Sequence, residues 1–149
     1  MTESLPKITI YTDGGCDPNP GPGGWAVVIL SPQGKHELSG ADPETTNNRM
    51  ELTAAIQALN AVRTPSEITL YTDSQYLQRG IEEWMPKWLA KNWRGSSGPV
   101  ANQDLWQALL VAAKPHTVTW RWLRGHGNNI YNTRADWLVK QARKSLKHS

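Results

Sequence analysis

The sequence has one cysteine, Cys16, among 149 residues, and no apolar run near the roughly 18 residues that would cross a membrane. One cysteine excludes an internal disulfide and suits a reducing compartment. The spacing of cysteine and histidine does not match a zinc site. Residues 1–6 lack the basic and apolar regions of a secretion signal. We therefore expect a cytoplasmic protein that makes no membrane contact and folds as a single domain over residues 1–149.

Acidic residues are scarce in the second half of the chain. Residues 1–83 carry 11 acidic and 5 basic side chains, whereas residues 84–149 carry 2 acidic and 11 basic, for a net charge of +3 overall. A basic region is typical of proteins that bind nucleic acid or another polyanion. Charge alone fits an ordinary solvated surface with a basic tail equally well.

Tryptophan, by contrast, is abundant, with eight residues. Rings that alternate with cations combine stacking surfaces with phosphate contacts, and this favours a nucleic-acid partner. We expect at least one of these rings to pack in the core instead. The alternating residues are Trp84, Lys87, Trp88, Lys91, Trp93 and Arg94.

A seven-residue pattern occurs twice, as Ile8–Gly14 and Ile68–Ser74, and an aspartate is the sixth residue of both copies. Each copy is β-branched and aromatic and ends in turn or cap residues, which predicts a strand. A helical pattern separates them, so the strands should be parallel and close in one sheet. Asp13 and Asp73 would then meet at one sheet edge, where α/β proteins bind ligands. Like charges this close need a compensating cation, which indicates a divalent metal.

The remaining pattern predicts an α/β fold with elements in the order β-β-β-α-β-α-α-β-α and a mixed five-stranded sheet surrounded by helices. The glycine- and proline-rich stretch 14–24 predicts an irregular loop. A hairpin should follow, with strands at 25–30 and 35–40. Further strands are expected at 7–12, 67–72 and 117–123, with helices at 47–62, near 74, and at 81–94, 102–113 and 132–146. We expect Pro86 to limit the helix at 81–94 or to start a new one.

Two further acids stand where a structural role is not obvious. Glu51 falls early in the helix that Thr46 should cap, and Asp136 opens the last helix in an otherwise basic stretch. Either could simply complement a helix dipole, an effect of about 0.3–1 kcal/mol. Taken with Asp13 and Asp73, the four acids instead favour one catalytic group.

Five motifs, in matching order over residues 7–145, resemble ribonuclease H of the bacterial type 1 branch. They are Asp13–Trp25 with its glycines and prolines, Thr46–Glu51, Thr72–Tyr76, Gly125-His126 and Arg134–Asp136. The resemblance implies the ribonuclease H fold and hydrolysis of the RNA strand of an RNA–DNA hybrid, leaving 5′-phosphate and 3′-hydroxyl ends. It also implies two Mg²⁺ ions, with Mn²⁺ as a substitute, and a free-standing monomer.

The same resemblance assigns roles to individual residues. Asp13 would bridge both metal ions, with Glu51 and Asp73 on the leaving-group side and Asp136 on the nucleophile side. His126 would assist proton movement or product release, although a lone histidine is more often structural. The substrate-binding set falls into three groups. Gly14, Cys16, Asn47 and Gln75 would read RNA 2′-hydroxyls, while Asn19 and Thr46 would hold a DNA phosphate. Trp84 and Trp106 would pack on DNA sugars, and Lys87, Lys91 and Arg94 would grip DNA from a basic protrusion at 81–100.

The chain departs from that family pattern at Thr133, where many relatives carry an acid, and in the loop that follows His126. Two other functions stay open. A non-catalytic hybrid-binding module could share the fold, but it would be expected to lose a carboxylate. A magnesium-dependent phosphatase of small molecules could use aspartates at strand ends, but it would not explain the basic, tryptophan-rich half.

Overall fold

A computed structural model describes residues 5–95, 98–124 and 129–146, with the backbone alone at 94, 95, 98 and 99. The elements follow the chain as β1 (Lys7–Cys16), β2 (Gly21–Ser31), β3 (Gly34–Thr45), α1 (Asn47–Ala61), β4 (Glu67–Thr72), α2 (Gln75–Arg79), a π-helical turn (Gly80–Trp84), α3 (Met85–Ala90), β5 (Arg94–Gly95), β6 (Gly98–Pro99), α4 (Gln103–Ala113), β7 (Thr117–Trp122) and α5 (Ile130–Ser145).

The five long strands form one mixed sheet in the order β3-β2-β1-β4-β7. Strand β1 is antiparallel to β2 and parallel to β4, and β4 is parallel to β7. The two copies of the repeated pattern pair in register, Ile8 opposite Ile68 and Tyr11 opposite Tyr71. The predicted parallel pairing and the predicted five-stranded sheet are confirmed.

The sheet separates two apolar clusters, because neighbouring residues of β1 point to opposite faces. Ile10 belongs to the larger cluster, which lies beneath α1 and α4 and includes Leu52 and Leu59. Tyr11 belongs to the smaller cluster, which also contains Ala135 and Val139 of α5. Helix α5 therefore covers the face of the sheet opposite α1.

The irregular loop predicted for residues 14–24 is wrong. β1 continues to Cys16 and β2 begins at Gly21, so only residues 17–20 connect them. Strand pairing continues as far as Cys16 opposite Gly23. β3 likewise runs beyond the predicted end at residue 40 and includes Pro43. Proline is tolerated there because β3 is an edge strand of the sheet.

The helical stretch around Pro86 is divided, as expected, but it ends at Ala90 rather than at 94. Pro86 lies at the start of α3, where a missing N–H costs little. Asn92 and Trp93 both have positive φ, 52° and 67°, so the right-handed helix cannot continue through them. A short antiparallel ladder then pairs Arg94 with Pro99 and Gly95 with Gly98.

Helix α5 begins two residues before the predicted start. The side chain of Asn129 caps it by accepting hydrogen bonds from the N–H groups of Tyr131 and Asn132. Asp136 is thus the seventh residue of the helix and does not open it, which weakens the dipole explanation for this acid. In the described part of the chain, no helix has the length and apolar character needed to cross a membrane.

Candidate active site

The parallel pairing of β1 and β4 places two of the predicted acids at one end of the sheet. Asp13 lies on β1, opposite Ala26 of β2. Asp73 follows Thr72, the last residue of β4, and precedes Ser74, which caps α2. The Asp73 charge acts directly on Asp13 and raises its pKa. The two aspartates of the repeated pattern therefore lie close together, as predicted.

Glycine at position 14 lets β1 lie against the first turns of α1. A Cβ on Gly14 would stand 2.5 Å from the Met50 carbonyl carbon and 2.6 Å from the Glu51 nitrogen, which no real side chain allows. The adjacent Gly15 is unlike it, since a Cβ there would meet nothing nearer than 3.8 Å. Gly14 thus permits the close approach that brings Glu51 towards Asp13.

Burial dominates the electrostatics of these acids. It raises the pKa of Asp13 to about 8, with further increases from the charges of Asp73, Asp136 and Glu51, against one lowering hydrogen bond from the Gly14 N–H. Burial also raises the pKa of Glu51 to about 7, and the Asp73 charge adds to this. Burial and the neighbouring carboxylate charges therefore disfavour the ionisation of Asp13 and Glu51.

Ser74 is a site residue that sequence reasoning treated only as a helix start. Its hydroxyl donates a hydrogen bond to the Glu51 carboxylate, which opposes part of the rise in the Glu51 pKa. The same oxygen accepts from the Leu77 N–H at 3.1 Å and so caps α2. Ser74 consequently links Glu51 of α1 to the segment that carries Asp73. The sequence signal was the Asp-Ser pair, whose serine can cap a helix and donate at once.

Asp136 differs from the buried acids because about half of its side chain is exposed. Its carboxylate lies 3.0 Å from the Lys140 ammonium, one turn further along α5. Its charge nevertheless raises the pKa of Asp13, so the two carboxylates interact directly. The structure brings all four predicted acids into one cluster.

The donor set suits a hard divalent cation. Mg²⁺ prefers oxygen ligands and usually takes one or two carboxylates, keeping waters or substrate phosphates as its remaining ligands. In the described ranges, no three histidine, cysteine or acidic side chains are gathered tightly enough to hold a metal by themselves. The site therefore offers partial coordination by carboxylates whose clustered charges a cation would relieve.

The predicted RNA-reading residues surround this edge, although not all expose their side chains. Asn47 binds the end of β1 by accepting the Cys16 N–H at 2.6 Å. The Cys16 thiol is buried and donates to backbone carbonyls, that of Gly21 at 3.0 Å among them. The prediction that the Cys16 side chain contacts RNA is therefore not supported. Gln75, at the start of α2, is exposed.

The predicted phosphate-binding pair also organises the start of α1. Thr46 accepts the Arg49 N–H at 3.2 Å and is the predicted helix cap. Asn19 accepts the Asn47 N–H at 3.2 Å and so ties the β1–β2 turn to the same helix end. Both side chains lie at a helix N-terminus, which is a favourable position for an anion.

The two tryptophans predicted to contact DNA sugars differ in burial. Trp106 is fully buried, and its indole N–H donates to the Tyr76 hydroxyl at 3.1 Å. The prediction of a DNA contact for Trp106 is wrong, because its helical spacing reflects core packing. Trp84 is partly exposed and packs edge-on against Tyr76, with ring centroids 5.5 Å apart.

The protrusion supplies the expected positive charge where the structure describes it. Lys87 and Lys91 are exposed on α3 and just after it. Trp88 contacts both Trp84 and Trp93, with centroids 6.0 Å apart in each case. The side chain of Arg94 and the whole of His126 lie outside the described residues, so their predicted roles stay predictions.

Two ion pairs near the acids were not anticipated from the sequence. Arg49 of α1 donates to both carboxylate oxygens of Asp104 on α4, at 3.1 and 2.9 Å. Arg134 of α5 donates to both carboxylate oxygens of Glu37 on β3, at 2.7 and 2.9 Å. The partners are 55 and 97 residues apart, and no local pattern reveals such long-range pairs.

The mixed sheet with acids gathered at the ends of its parallel strands defines an α/β protein of the kind that binds divalent metal there. More specifically, the chain belongs to the ribonuclease H family, whose model matches residues 6–144. Members of this metal-dependent family share the fold described above.

Individual relatives are similar over nearly their full length. Ribonuclease H of Granulibacter bethesdensis is 57% identical over 137 residues, which are 91% of each chain. Ribonuclease H of Gluconobacter oxydans is 52% identical over 142 residues, or 95% of each. Among crystal structures, LC9-RNase H1, a type 1 enzyme with the type 2 active-site motif, matches with a TM-score of 0.86 at 31% identity, over 97% of this chain and 75% of that one. LC11-RNase H1 in complex with an RNA/DNA hybrid matches with a TM-score of 0.74 at 25% identity, over 94% and 99%.

Proposed function

We propose that this chain hydrolyses the RNA strand of RNA–DNA hybrids with Mg²⁺ and leaves 5′-phosphate and 3′-hydroxyl ends. The observation that carries the proposal is the cluster of four carboxylates, two of them with strongly raised pKa values. Perturbed acids gathered at one edge are typical of a functional site. The family membership and the hybrid-bound relative support the choice of substrate.

In this proposal, Asp13, Glu51, Asp73 and Asp136 hold the metal. Bound divalent ions would polarise the scissile phosphate and lower the pKa of an attacking water. Asp13 is the central ligand because each of the other three acids influences its pKa. The four carboxylates together would supply protein ligands for two ions. Mn²⁺, which also takes oxygen ligands, should substitute for Mg²⁺.

Recognition of the hybrid would begin beside these acids. The Gly14 backbone and the amides of Asn47 and Gln75 would contact 2′-hydroxyls, the group that distinguishes RNA from DNA. Asn19 and Thr46 would hold a DNA phosphate at the start of α1. Trp84 would stack near the DNA strand, and Lys87, Lys91 and Arg94 would contact its phosphates from the protrusion at 81–100. His126 would assist product release.

The proposal also covers the organisation of the protein. We infer a single catalytic domain over residues 1–149 that acts as a monomer in the cytoplasm. The family model spans residues 6–144 without interruption, which supports one domain. Gel filtration of the purified chain at micromolar concentration tests the monomer, and elution at twice the mass of 16.6 kDa would contradict it.

One gel assay tests the activity. End-labelled RNA–DNA hybrid, duplex RNA and duplex DNA of one sequence are incubated with the protein, with Mg²⁺, with Mn²⁺ or with EDTA. We expect cleavage of the hybrid alone, on its RNA strand, with either metal and not with EDTA. Binding without cleavage would instead identify a hybrid-binding module. Release of phosphate from small phosphomonoesters, with the hybrid left intact, would identify a phosphatase.

A further inference from the structure

The position of Asp136 depends on how α5 is turned about its own axis. Successive residues of an α-helix are about 100° apart, so residues 134 and 136 point to different sides of the helix. Ala135, between them, is fully buried in the cluster beneath α5. With Ala135 against the sheet, Arg134 and Asp136 flank this contact on opposite sides.

Each flanking side chain faces a different strand. Asp136 acts on Asp13 of the central strand β1. Arg134 reaches outward to Glu37 of the edge strand β3, with its Nε 2.7 Å from one carboxylate oxygen and its Nη2 2.9 Å from the other. Glu37 lies opposite Val28 of β2, which belongs to the same buried cluster as Ala135.

The contact between Arg134 and Glu37 is rigid for a surface ion pair. A two-point fork fixes the plane of the guanidinium as well as its distance. The guanidinium carbon also lies 4.6 Å from the centre of the Trp137 ring, so the cation is held on a second side. Glu37 is less exposed than its partner, at 23% of its side chain, against 40% for Arg134.

By contrast, the ion pair of Asp136 itself does not attach it to the sheet. Lys140 is on the same helix, so this pair moves with α5. Beneath the helix, Ala135 and Val139 are buried against the sheet, and the fork to Glu37 adds a directional contact at the side of the helix. Asn129, whose side-chain amide donates to the Tyr11 hydroxyl at 3.3 Å, fixes where the helix starts rather than its rotation.

We propose that Glu37 and Arg134 are positioning residues for the proposed hydrolysis, and that their forked ion pair sets the rotation of α5 that directs the Asp136 carboxylate towards Asp13. The inference rests on the proposed function, because it concerns the geometry of the same carboxylates. Neither residue touches the substrate. Their effect passes through the helix that carries Asp136.

The first test compares Glu37→Gln with Lys35→Gln. The Gln variant at 37 keeps the size of the side chain but cannot accept both Arg134 donors. Lys35→Gln is the matched control, because its ammonium lies 3.8 Å from the same carboxylate but belongs to β3 itself. We expect Glu37→Gln to lower kcat about fivefold or more and to raise the Mg²⁺ concentration needed for half-maximal rate, since displacements near 1 Å can cost about 10²-fold. KM for the hybrid should stay near wild type, and Lys35→Gln should match wild type throughout.

The second test exchanges the charges. Arg134→Glu alone should be as impaired as Glu37→Gln or worse, and the double variant Glu37→Arg, Arg134→Glu should recover most of the activity by restoring a pair. Isothermal titration with Mg²⁺ alone, without substrate, should show weaker binding in each single variant and recovery in the double variant. This second readout does not depend on turnover.

Three results would overturn the proposal. One is a lower melting temperature with unchanged kcat and Mg²⁺ requirement, which would make the pair purely stabilising. Another is an equal loss of activity in Lys35→Gln, which would mean that the loss reflects the charge of this surface rather than the contact with Arg134. The third is failure of the exchanged pair to recover. If wild-type protein failed to cleave the hybrid at all, the proposed function would fall, whereas the Mg²⁺ titration would still judge the positioning role.

Discussion

The acids of the active site are held in two different ways. Asp13 of β1 and Glu51 of α1 are largely buried, and their pKa values rise to about 8 and about 7. Asp136 of α5, by contrast, is half exposed and paired with Lys140. Gly14 permits the backbone packing that brings Glu51 close to β1, whereas Asp136 is carried by a helix that packs on the sheet through Ala135 and Val139.

This difference indicates a division of roles. Buried acids can be placed accurately by the core, but their charge costs stability until a cation is present. An exposed acid costs little, but its direction depends on the few contacts that orient its helix. We expect changes to the buried acids and their packing to affect stability and activity together, and changes to Asp136 and the contacts that orient α5 to affect activity more than stability.

The largest effect should follow removal of the central carboxylate. Asp13→Asn should abolish hydrolysis while leaving hybrid binding nearly intact, because the variant lacks the proposed shared ligand but keeps the surface around it. Single-turnover cleavage and a binding titration, both in Mg²⁺, measure the two properties separately. Turnover above about a tenth of the wild-type rate would refute the central role of Asp13.

Packing on the α1 face can be tested without changing any charge. Gly14→Ala forces a methyl group to 2.5 Å from the α1 backbone, so β1 and α1 must separate. We expect a decrease of about 1–3 kcal/mol in the free energy of unfolding, as in other overpacked sites, together with reduced kcat.

Gly15→Ala is the matched control, because its new methyl would meet only ordinary contacts from 3.8 Å outward. Urea denaturation and steady-state kinetics on both variants should separate them clearly. Similar decreases in the two would mean that the distance between β1 and α1 does not position Glu51.

A smaller effect should come from the protrusion. Lys87→Ala with Lys91→Ala should raise KM for the hybrid and leave kcat unchanged, since the two ammonium groups would hold substrate and transition state equally. Removing one phosphate-binding lysine should reduce the slope of log affinity against log salt by about 0.9, and removing both should reduce it by about 1.8.

A salt titration of hybrid binding by the double variant and wild type checks this. An unchanged slope and KM would show that the two lysines are only part of a solvated helix surface. A fall in kcat at constant KM would instead locate the segment near the chemistry.

The sequence predicted the elements that depend on short-range pattern. The repeat containing Asp13 and Asp73 predicted parallel neighbours, and β1 and β4 pair in the expected register. The Thr46 cap and the strand at 67–72 were also correct. These features follow from alternation and capping, which are local properties.

The errors occurred where tertiary packing overrides local preference. The glycines in residues 14–24 suggested a loop, but these residues extend β1 and β2. Because glycine has no side chain, Gly14 can lie against the backbone of α1 and Gly24 against that of α5. Trp106 was assigned to the substrate surface through the family resemblance, but its ring is fully buried and its indole N–H donates to Tyr76. The forked ion pair between Glu37 and Arg134 joins residues that are 97 positions apart, so no periodic pattern in the sequence indicates it.

The central claim is that burial and mutual proximity disfavour the charged forms of Asp13 and Glu51. The most direct test is the free energy of unfolding measured against pH without metal. Burial raises the Asp13 pKa from 3.8 to about 8, so between these values the unfolded chain is ionised while the folded protein retains its proton. Wild type therefore becomes less stable than an uncharged variant as the pH rises through this window. Near about pH 3, below both pKa values, the two proteins should have equal free energies of unfolding.

Urea denaturation in EDTA at several pH values should be measured for wild type, Asp13→Asn and Asp136→Asn. We predict that Asp13→Asn is more stable than wild type at about pH 7 by at least about 1 kcal/mol, the equivalent of one pKa unit, with no difference near about pH 3. Asp136→Asn should stay within about 0.5 kcal/mol of wild type at the higher pH, as exposed substitutions usually do. No gain, or a decrease, in the stability of Asp13→Asn at that pH would contradict the account.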